Sequence, residues 1–414
     1  MNKEIKLVPS LRFPEFVNEG EWVYLYGDKI FGPISNKDHN SDLPVLAITQ
    51  EHGAIPRELI NYTVIATSKS INSYKVVEIG DFIISLRSFQ GGIEYSLYKG
   101  ICSPAYIILR NKIKIENIFF KYYFKTDLYI RHLNKNLEGI RDGKMVSYKQ
   151  FSEILLPNPS IPEQQKIASC LSLLDELIAA HKDKLATLKS HEKGLMKILF
   201  PQEGQVLPDL RFPEFQDSGM WKEIPFNKAF QRVTRKNIEN NQNLLTISAQ
   251  QGLVNQEEYF NKQIASKDVT NYYLIKKGEF AYNKSYSKDY PMGAIKVLKA
   301  YDKGVLSTLY ICFKCQEGFN NKYFEHYFES GVFNVEIDKI AQEGARDHGL
   351  LNVSVVEFFK TLNVKVPPSK EEEEKVTSCL SSLNKLIITQ GDKIERLQTH
   401  KKGLIQGLFP EIEN

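Results

Sequence analysis

The chain has 414 residues, of which 42% are hydrophobic and 25% charged, and its formal net charge is +4. This length allows two or three domains with cores of their own, and the composition excludes a disordered chain. No apolar run approaches the ~18 residues of a membrane span. The five cysteines do not form a disulfide framework, and the N-terminal MNKEIKLVPS lacks a secretory signal. We therefore expect a cytoplasmic protein that does not contact a membrane.

An internal repeat organises the sequence. The hexapeptide LRFPEF stands at residues 11–16 and again at 210–215, and the two tryptophans that follow, Trp22 and Trp221, lie 199 residues apart. Further on, residues 166–201 match residues 375–410. A period of this length is too long for a solenoid and indicates the tandem duplication of one module.

The segments between each tryptophan and the next long repeat are predicted to be mixed α and β domains. Strands are expected at residues 44–49, 81–86, 105–110, 243–248, 279–284 and 308–314, and amphipathic helices at 115–134 and 320–341. Residues 22–158 and 222–368 each carry a net charge of +4, which a phosphate-binding function favours. The two segments place similar motifs in the same order but differ in most of their residues. This pattern indicates two versions of one fold that recognise different targets, and neutral drift after the duplication is the alternative.

The two matching repeats are predicted to be long helices. Pro162 and Glu163 suit a first helical turn, and so do the glutamates at 371–374. Apolar residues recur in alternating steps of four and three, as in a coiled-coil seam. The seam positions are Ile167, Leu171, Leu174, Ile178, Leu185, Leu188, Val376, Leu380, Leu383, Ile387, Ile394 and Leu397. The two seams should pair with each other. Either orientation is topologically possible, and an antiparallel pair would relate the modules by a pseudo-twofold axis.

Two loops that follow matching strands carry side chains suited to reading bases. The first offers Arg87, Ser88 and Gln90 beside two glycines, and the second offers Asn283, Lys284 and Tyr286. Arginine or lysine can pair with guanine, and glutamine or asparagine with adenine, while an aromatic ring can stack or pack. A polar hairpin on a solvated edge is the alternative interpretation of both loops.

Further candidates lie in other matching loops. Arg141, Lys144, Arg346 and His348 follow glycines and could contact phosphates, or the arginines could pair with the neighbouring Asp142 and Asp347. Gln250 follows a predicted strand, as Gln50 does in the first half, and is a weaker candidate for a DNA contact.

The sequence carries no complete catalytic or metal-binding motif. It lacks a phosphate-binding loop, an amino-methyltransferase motif and a glycine-rich cofactor loop after a strand. Cys312 and Cys315 form a lone C-x-x-C within a predicted strand, where odd spacing points the two side chains to opposite faces. We therefore predict no catalytic residue and no metal ligand in this chain.

The duplicated LRFPEF…W, the segment IPEQQKIASCLSLLDELI and the repeated helix end H-x-K-G-L-x-x-x-L-F-P resemble the specificity (S) subunits of type I restriction–modification enzymes. The resemblance covers nearly the whole chain. It implies an α/β (α+β) fold with two similar mixed α/β target-recognition domains, separated by a two-helix antiparallel coiled coil with a pseudo-twofold internal repeat.

The resemblance also divides the chain into regions. They are an N-terminal segment (1–21), target-recognition domain 1 (22–158), a central repeat helix (159–206), the repeated LRFPEF linker (207–220), target-recognition domain 2 (221–368) and a C-terminal repeat helix (369–414).

The implied function is sequence-specific DNA binding without catalysis. Each target-recognition domain would read one half of a bipartite, asymmetric site in double-stranded DNA, and the helices would set the spacing and dock two methyltransferase subunits. Motor-nuclease subunits would join for restriction. S-adenosylmethionine and ATP/Mg are expected on those partners, and no cofactor on this chain. Two alternatives stay open: a scaffold that never binds DNA, and a methyltransferase or nuclease with degenerate motifs.

Overall fold

The computed structural model describes residues 8–39, 42–60, 71–135, 146–248, 251–260, 269–287, 290–342 and 350–410. The chain divides into two compact units. The first unit comprises Met1–Lys182 with Asp392–Asn414, and the second comprises Asp183–Gly391. Each unit thus contains one globular head, which we number as residues 22–158 or 222–368, and parts of both long helices. The predicted regional boundaries stay a prediction.

The first unit alternates short strands and helices before its long helix. Its strands are β1 (Val23–Tyr26), β2 (Phe31–Ile34), β3 (Leu46–Thr49), β4 (Gly53–Pro56), β5 (Lys75–Val77), β6 (Phe82–Ile84), β7 (Glu94–Tyr95), β8 (Gly100–Cys102), β9 (Ile107–Asn111) and β10 (Leu155–Asn158). Its helices are α1 (Gly27–Ile30), α2 (Ser88–Gly91), α3 (Asn117–Tyr123), α4 (Asp127–Lys135), α5 (Tyr148–Ser152) and the start of α6 (Ile161–Leu199).

The second unit largely repeats this order, with elements at residues 256–260, 341–342 and 352–353 that the described part of the first unit does not show. Its strands are β11 (Lys222–Pro225), β12 (Phe230–Arg232), β13 (Leu245–Ser248), β14 (Gly252–Asn255), β15 (Tyr273–Lys276), β16 (Phe280–Asn283), β17 (Ala294–Val297), β18 (Lys303–Leu306), β19 (Ile311–Cys315), β20 (Ala341–Gln342), β21 (Asn352–Val353) and β22 (Asn363–Val366). Its helices are α7 (Phe226–Ala229), α8 (Gln256–Phe260), α9 (Asn321–Glu329), α10 (Asn334–Asp338), α11 (Val355–Lys360) and the start of α12 (Lys370–Leu408).

Each head is built on a four-stranded antiparallel sheet. The strand order is β2-β9-β6-β7 in the first head and β12-β19-β16-β17 in the second, so the two sheets have the same topology. The β1–β10, β3–β4 and β5–β8 pairs of the first head recur as β11–β22, β13–β14 and β15–β18. The predicted mixed α/β class and its internal repeat are therefore confirmed.

The two amphipathic helices predicted at residues 115–134 and 320–341 are each interrupted in the structure, which their sequence pattern did not predict. In the first head the Thr126 hydroxyl accepts a hydrogen bond from Tyr129 N (3.2 Å), so a new helix begins directly after α3. In the second head α9 ends at Glu329, two residues before Gly331, whose φ of +81° favours glycine. A side chain that caps a helix and a left-handed glycine both end a helix without disturbing the apolar periodicity, which is why periodicity alone predicted one helix.

The long helices α6 and α12 pair antiparallel within each unit. In the first unit Ile167 and Leu171 of α6 share a core with Leu404 and Leu408 of α12. In the second unit the direction is the same, because Met196 and Leu199 near the end of α6 share a core with Val376 and Leu380 near the start of α12. No helix among the described residues is long and apolar enough to cross a membrane.

Every predicted seam side chain is buried or half-buried. Seven of the twelve are buried: Ile167, Leu171, Ile178, Val376, Leu380, Leu383 and Ile394. The other five, Leu174, Leu185, Leu188, Ile387 and Leu397, are half-buried. Burial at the period of a coiled coil shows that these positions face inward within each unit.

Candidate nucleic-acid interface

The LRFPEF motif joins each head to the first turn of the long helix behind it. Arg12 forms a bidentate ion pair with Glu163, with Nε–Oε1 at 2.7 Å and Nη2–Oε2 at 2.8 Å. The Trp22 indole N–H donates to the same carboxylate at 3.1 Å, and Arg12 Nη1 also donates to Gly20 O. Glu163 is 1% exposed. Glu163, which the sequence analysis placed in the first turn of the long helix, is thus the centre of a buried polar cluster.

The second unit repeats this cluster almost atom for atom. Arg211 pairs with Glu372 through two contacts of 2.7 Å, and the Trp221 indole donates to Glu372 at 3.1 Å. The hydrogen bond raises the pKa of each arginine above its ordinary value. Spacing alone did not reveal this contact, because the arginine and the glutamate are more than 150 residues apart.

Each copy of the motif also binds the end of a long helix. Leu11 N donates to Gly407 O of α12 at 2.8 Å, and Leu210 N donates to Ile198 O of α6 at 2.9 Å. Gly407 and Ile198 are equivalent positions of the repeat. The two heads are therefore mounted on the helices in the same way.

The first candidate loop forms a single helical turn, residues 87–91, which we call the first turn. Arg87 and Gln90 are exposed, and a spacing of three residues places them on one side of a helical turn. Ser88 differs, because it is 1% exposed and its hydroxyl accepts a hydrogen bond from Ser85 N (2.9 Å). The Ser88 hydroxyl thus helps to hold the turn together, and its predicted DNA contact stays a prediction.

The β3–β4 loop lies against the first turn. A Cβ added to Gly91 would stand 2.4–2.7 Å from the side chain of Gln50, so these two residues are in close contact. Gln50 itself is exposed. The structure thus brings Gln50 next to the turn that carries Arg87 and Gln90.

The second candidate loop, residues 283–287, is called the second turn. Asn283 Oδ1 accepts a hydrogen bond from Ser285 N (3.0 Å), and Lys284 O accepts one from Leu351 N (2.9 Å). Asn283 and Lys284 are half-buried, whereas Tyr286 is 37% exposed. The second turn therefore presents an amide, an ammonium group and a phenol where the first turn presents a guanidinium and an amide.

The other predicted contact residues cannot be placed. Arg141, Lys144, Gln250, Arg346 and His348 lie outside the described residues.

The described residues contain free thiols but no cluster of side chains that could hold a metal ion. No group of three or more histidine, cysteine or acidic side chains there could hold a metal ion. Burial raises the pKa of the Cys102, Cys312 and Cys315 thiols to about 12, and a thiol is a poor nucleophile when it is protonated.

Comparisons with known proteins give this fold a class. The model of the type I restriction modification DNA specificity domain matches residues 31–190. A Methanocaldococcus jannaschii protein described as the MjaX specificity subunit of a type I restriction enzyme is 30% identical over 127 residues. That alignment covers 30% of this chain and 29% of the relative, so the match spans less than a third of the relative's length.

Two solved structures share the fold over nearly the whole chain. The type I restriction–modification S subunit from M. genitalium has a TM-score of 0.51 at 14% identity, and covers 98% of this chain and 100% of its own. A chain solved to explain complex assembly and conformational transition of a type I R–M system has a TM-score of 0.53 at 13% identity, with coverages of 94% and 98%.

Residues 31–190 are thus similar to a type I restriction modification DNA specificity domain, and the chain shares the fold of the two solved structures. This similarity agrees with the resemblance that the repeated motifs indicated.

Proposed function

We propose that this chain is the non-catalytic DNA-specificity subunit of a type I restriction–modification complex, and that each head reads one half of a bipartite, asymmetric site. The observation that carries the proposal is the pair of turns: the two sheets have the same strand order, yet the turns at equivalent places present different side chains. Different side chains at equivalent places of the same sheet topology suit two half-sites of different sequence.

The remaining parts of the function follow from this proposal. Phosphate contacts by the basic heads would fix the register of the protein on DNA. Partner methyltransferase subunits would bind S-adenosylmethionine and modify adenines, and motor-nuclease subunits would bind ATP/Mg, all in the cytoplasm.

The long helices offer a docking surface for two such methyltransferase subunits. Leu177 is 44% exposed and Leu386, at the equivalent position of the repeat, is 58% exposed. Equivalent apolar side chains left in solvent suit two copies of one partner.

Sequencing of modified bases in the host genome, with and without this gene, tests the proposal. We expect adenine methylation at one bipartite motif that disappears with the gene. Loss of the gene without any change in methylation would contradict the proposal, and a purified chain that methylates or cuts DNA alone would contradict its non-catalytic part.

The spacing function has a test of its own. Deleting residues 182–188 and 388–394 removes one seven-residue period from each helix and keeps the seam in phase, while it shortens the pair by ~10 Å at 1.5 Å per residue. We expect a methylated motif with a changed spacer and unchanged half-sites. Altered half-site bases would contradict the spacing function.

A further inference from the structure

In both heads the loop before the outer sheet strand, β7 or β17, is bound by a residue at the same distance from the N-cap of α3 or α9. Counted from the N-caps Glu116 and Asn320, the ninth residues are Lys125 and Glu329. Lys125 Nζ donates to Gly91 O (2.9 Å) at the end of the first turn, and to Glu94 Oε1 (2.5 Å) on β7. The first head thus uses a cation at this position.

The second head uses an anion there. Glu329 accepts hydrogen bonds from the Tyr290 hydroxyl at Oε1 (2.8 Å) and from Lys296 Nζ at Oε2 (2.5 Å). Tyr290 is bound in turn to Ser287 of the second turn by two backbone hydrogen bonds of 3.0 and 3.2 Å. Lys296 and Glu94 are equivalent strand positions, since they pair with Ala281 and Ile83, the second residues of β16 and β6.

In each ion pair one partner is sheltered from solvent and the other is partly exposed. Glu94 is 3% exposed and its partner Lys125 31%, while Lys296 is 11% exposed and its partner Glu329 35%. A buried ion pair holds its geometry because either partner alone would be left as an uncompensated charge. Exposed pairs of the same kind contribute little.

Other contacts limit how the first turn can move. Asn134 Nδ2 donates to Phe89 O (2.8 Å). Gly92 has a φ of +79°, and a Cβ at that position would stand 1.9 Å from Phe124 O. The turn's backbone is thus bound on the helix side, while Arg87 and Gln90 stay exposed on it.

We propose that Lys125 and Glu329 are positioning residues for DNA specificity, each of which holds the base-reading turn of its own head and so governs one half-site only. The inference rests on the proposed function and deepens it, because it names residues that set specificity without touching a base. The opposite charges also match each outer strand to its own head: a turn moved to the other head together with its outer strand would bring Lys125 opposite Lys296, or Glu329 opposite Glu94.

The test reads the methylated motif in the host genome for variants expressed in place of the natural chain. In the first head, the double substitution Glu94→Gln with Lys125→Met removes both charges together, so that no buried charge is left unpaired. Glu94→Gln alone is its matched control, because Lys125 can still donate to Gly91 O. In the second head, Tyr290→Phe removes a single hydroxyl group from the link.

A second control uses the neighbouring ion pair of α9. Glu325 pairs with Lys299, and neither residue contacts the second turn in the described structure. The double substitution Glu325→Gln with Lys299→Met therefore changes the same helix and removes the same charges, and it should leave the motif unchanged.

We expect the double variant of the first head to lose base discrimination roughly tenfold at one or more positions of one half-site, with the other half unchanged. Tyr290→Phe should relax the opposite half by a smaller factor. A merely structural role would instead lower methylation at an unchanged motif.

Two outcomes would overturn the inference: the same motif with fewer modified sites, or both halves relaxed by one variant. If the double variant does not fold, Tyr290→Phe decides between these outcomes. Failure of the proposed function is distinct, because the natural chain itself would then direct no bipartite methylation.

Discussion

The two units share their apolar frame and their Arg–Glu–Trp cluster, and they differ in the polar contacts between head and helix. In the first unit Asp175 of α6 pairs with Lys401 of α12 (2.5 Å) and accepts a hydrogen bond from the Tyr122 hydroxyl (2.8 Å). In the second unit the equivalents of Asp175 and Lys401 are Asn384 and Glu192. The duplicated frame has thus kept its strand order while the charges of this polar layer have changed.

The substitutions in the second unit place an acid, Glu192, where the first unit has a lysine. Glu192 Oε1 is buried and has no hydrogen-bond partner within the described structure. Burial, with the nearby Glu329 carboxylate as a smaller cause, raises the pKa of Glu192. His326 replaces Tyr122 and binds Ser381 Oγ (3.0 Å), and burial lowers the pKa of His326. The polar layer of the second unit thus has Glu192 and Asn384 where that of the first has the Lys401–Asp175 ion pair.

The largest effect should come from the contact that both units share. Arg12→Ala leaves the buried Glu163 carboxylate without its cation, so we expect a loss of about 3–5 kcal/mol in the free energy of unfolding. Arg211→Ala should cost the same, because its geometry with Glu372 is the same. Urea unfolding of each variant, with hydrogen exchange to locate the loss, measures both values. Losses below ~1 kcal/mol, as for an exposed pair, would contradict the buried cluster.

A smaller effect is expected where the units differ at the start of the long helices. Gln164 Nε2 donates to Pro159 O (2.9 Å), and the equivalent residue of the second unit is Glu373. Burial raises the pKa of Glu373 from 4.5 to about 7. The folded chain therefore favours the protonated acid, so stability is fully present below pH 4.5 and is lost as the pH rises to about 7.

Glu373→Gln should remove that loss. Because Glu373 is half-buried and partly screened by solvent, we expect a gain of about 1–2 kcal/mol above pH 7 and little change at low pH. Thermal unfolding of the variant and the natural chain between pH 4 and pH 8 measures the difference. The matched change in the first unit, Gln164→Glu, should destabilise most at high pH. A gain that does not depend on pH would contradict the titration of Glu373.

The smallest effect should come from making the second polar layer like the first. The double substitution Glu192→Lys with Asn384→Asp installs the lysine–aspartate pair that Lys401 and Asp175 form. Lys401 is 21% and Asp175 40% exposed, so we expect a gain of about 0.5–1 kcal/mol. A double-mutant cycle measured by urea unfolding separates the pair from the single changes, and an interaction energy of zero would show that the layers are not interchangeable.

The sequence predicted the features that depend on periodicity and on the repeat. The strands at 82–84 and 280–283, the paired long helices and the inward seam all follow from apolar spacing. The Arg12–Glu163 pair and the Lys125–Gly91 contact could not be predicted. Each joins residues that are distant in the chain, and only the folded path of the backbone brings them together. Ser88 shows the same limit: a small polar residue in a loop suits both a DNA contact and a structural hydrogen bond, and only its burial distinguishes the two.

The most direct test of the two-reader account is the methylated motif of two matched double variants. Arg87→Ala with Gln90→Ala removes the exposed side chains of the first turn, and Asn283→Ala with Lys284→Ala changes the second turn. The account predicts that each variant alters the bases of one half-site, a different half for each, and leaves the other half intact. Both variants altering the same half, or either altering both halves, would contradict it.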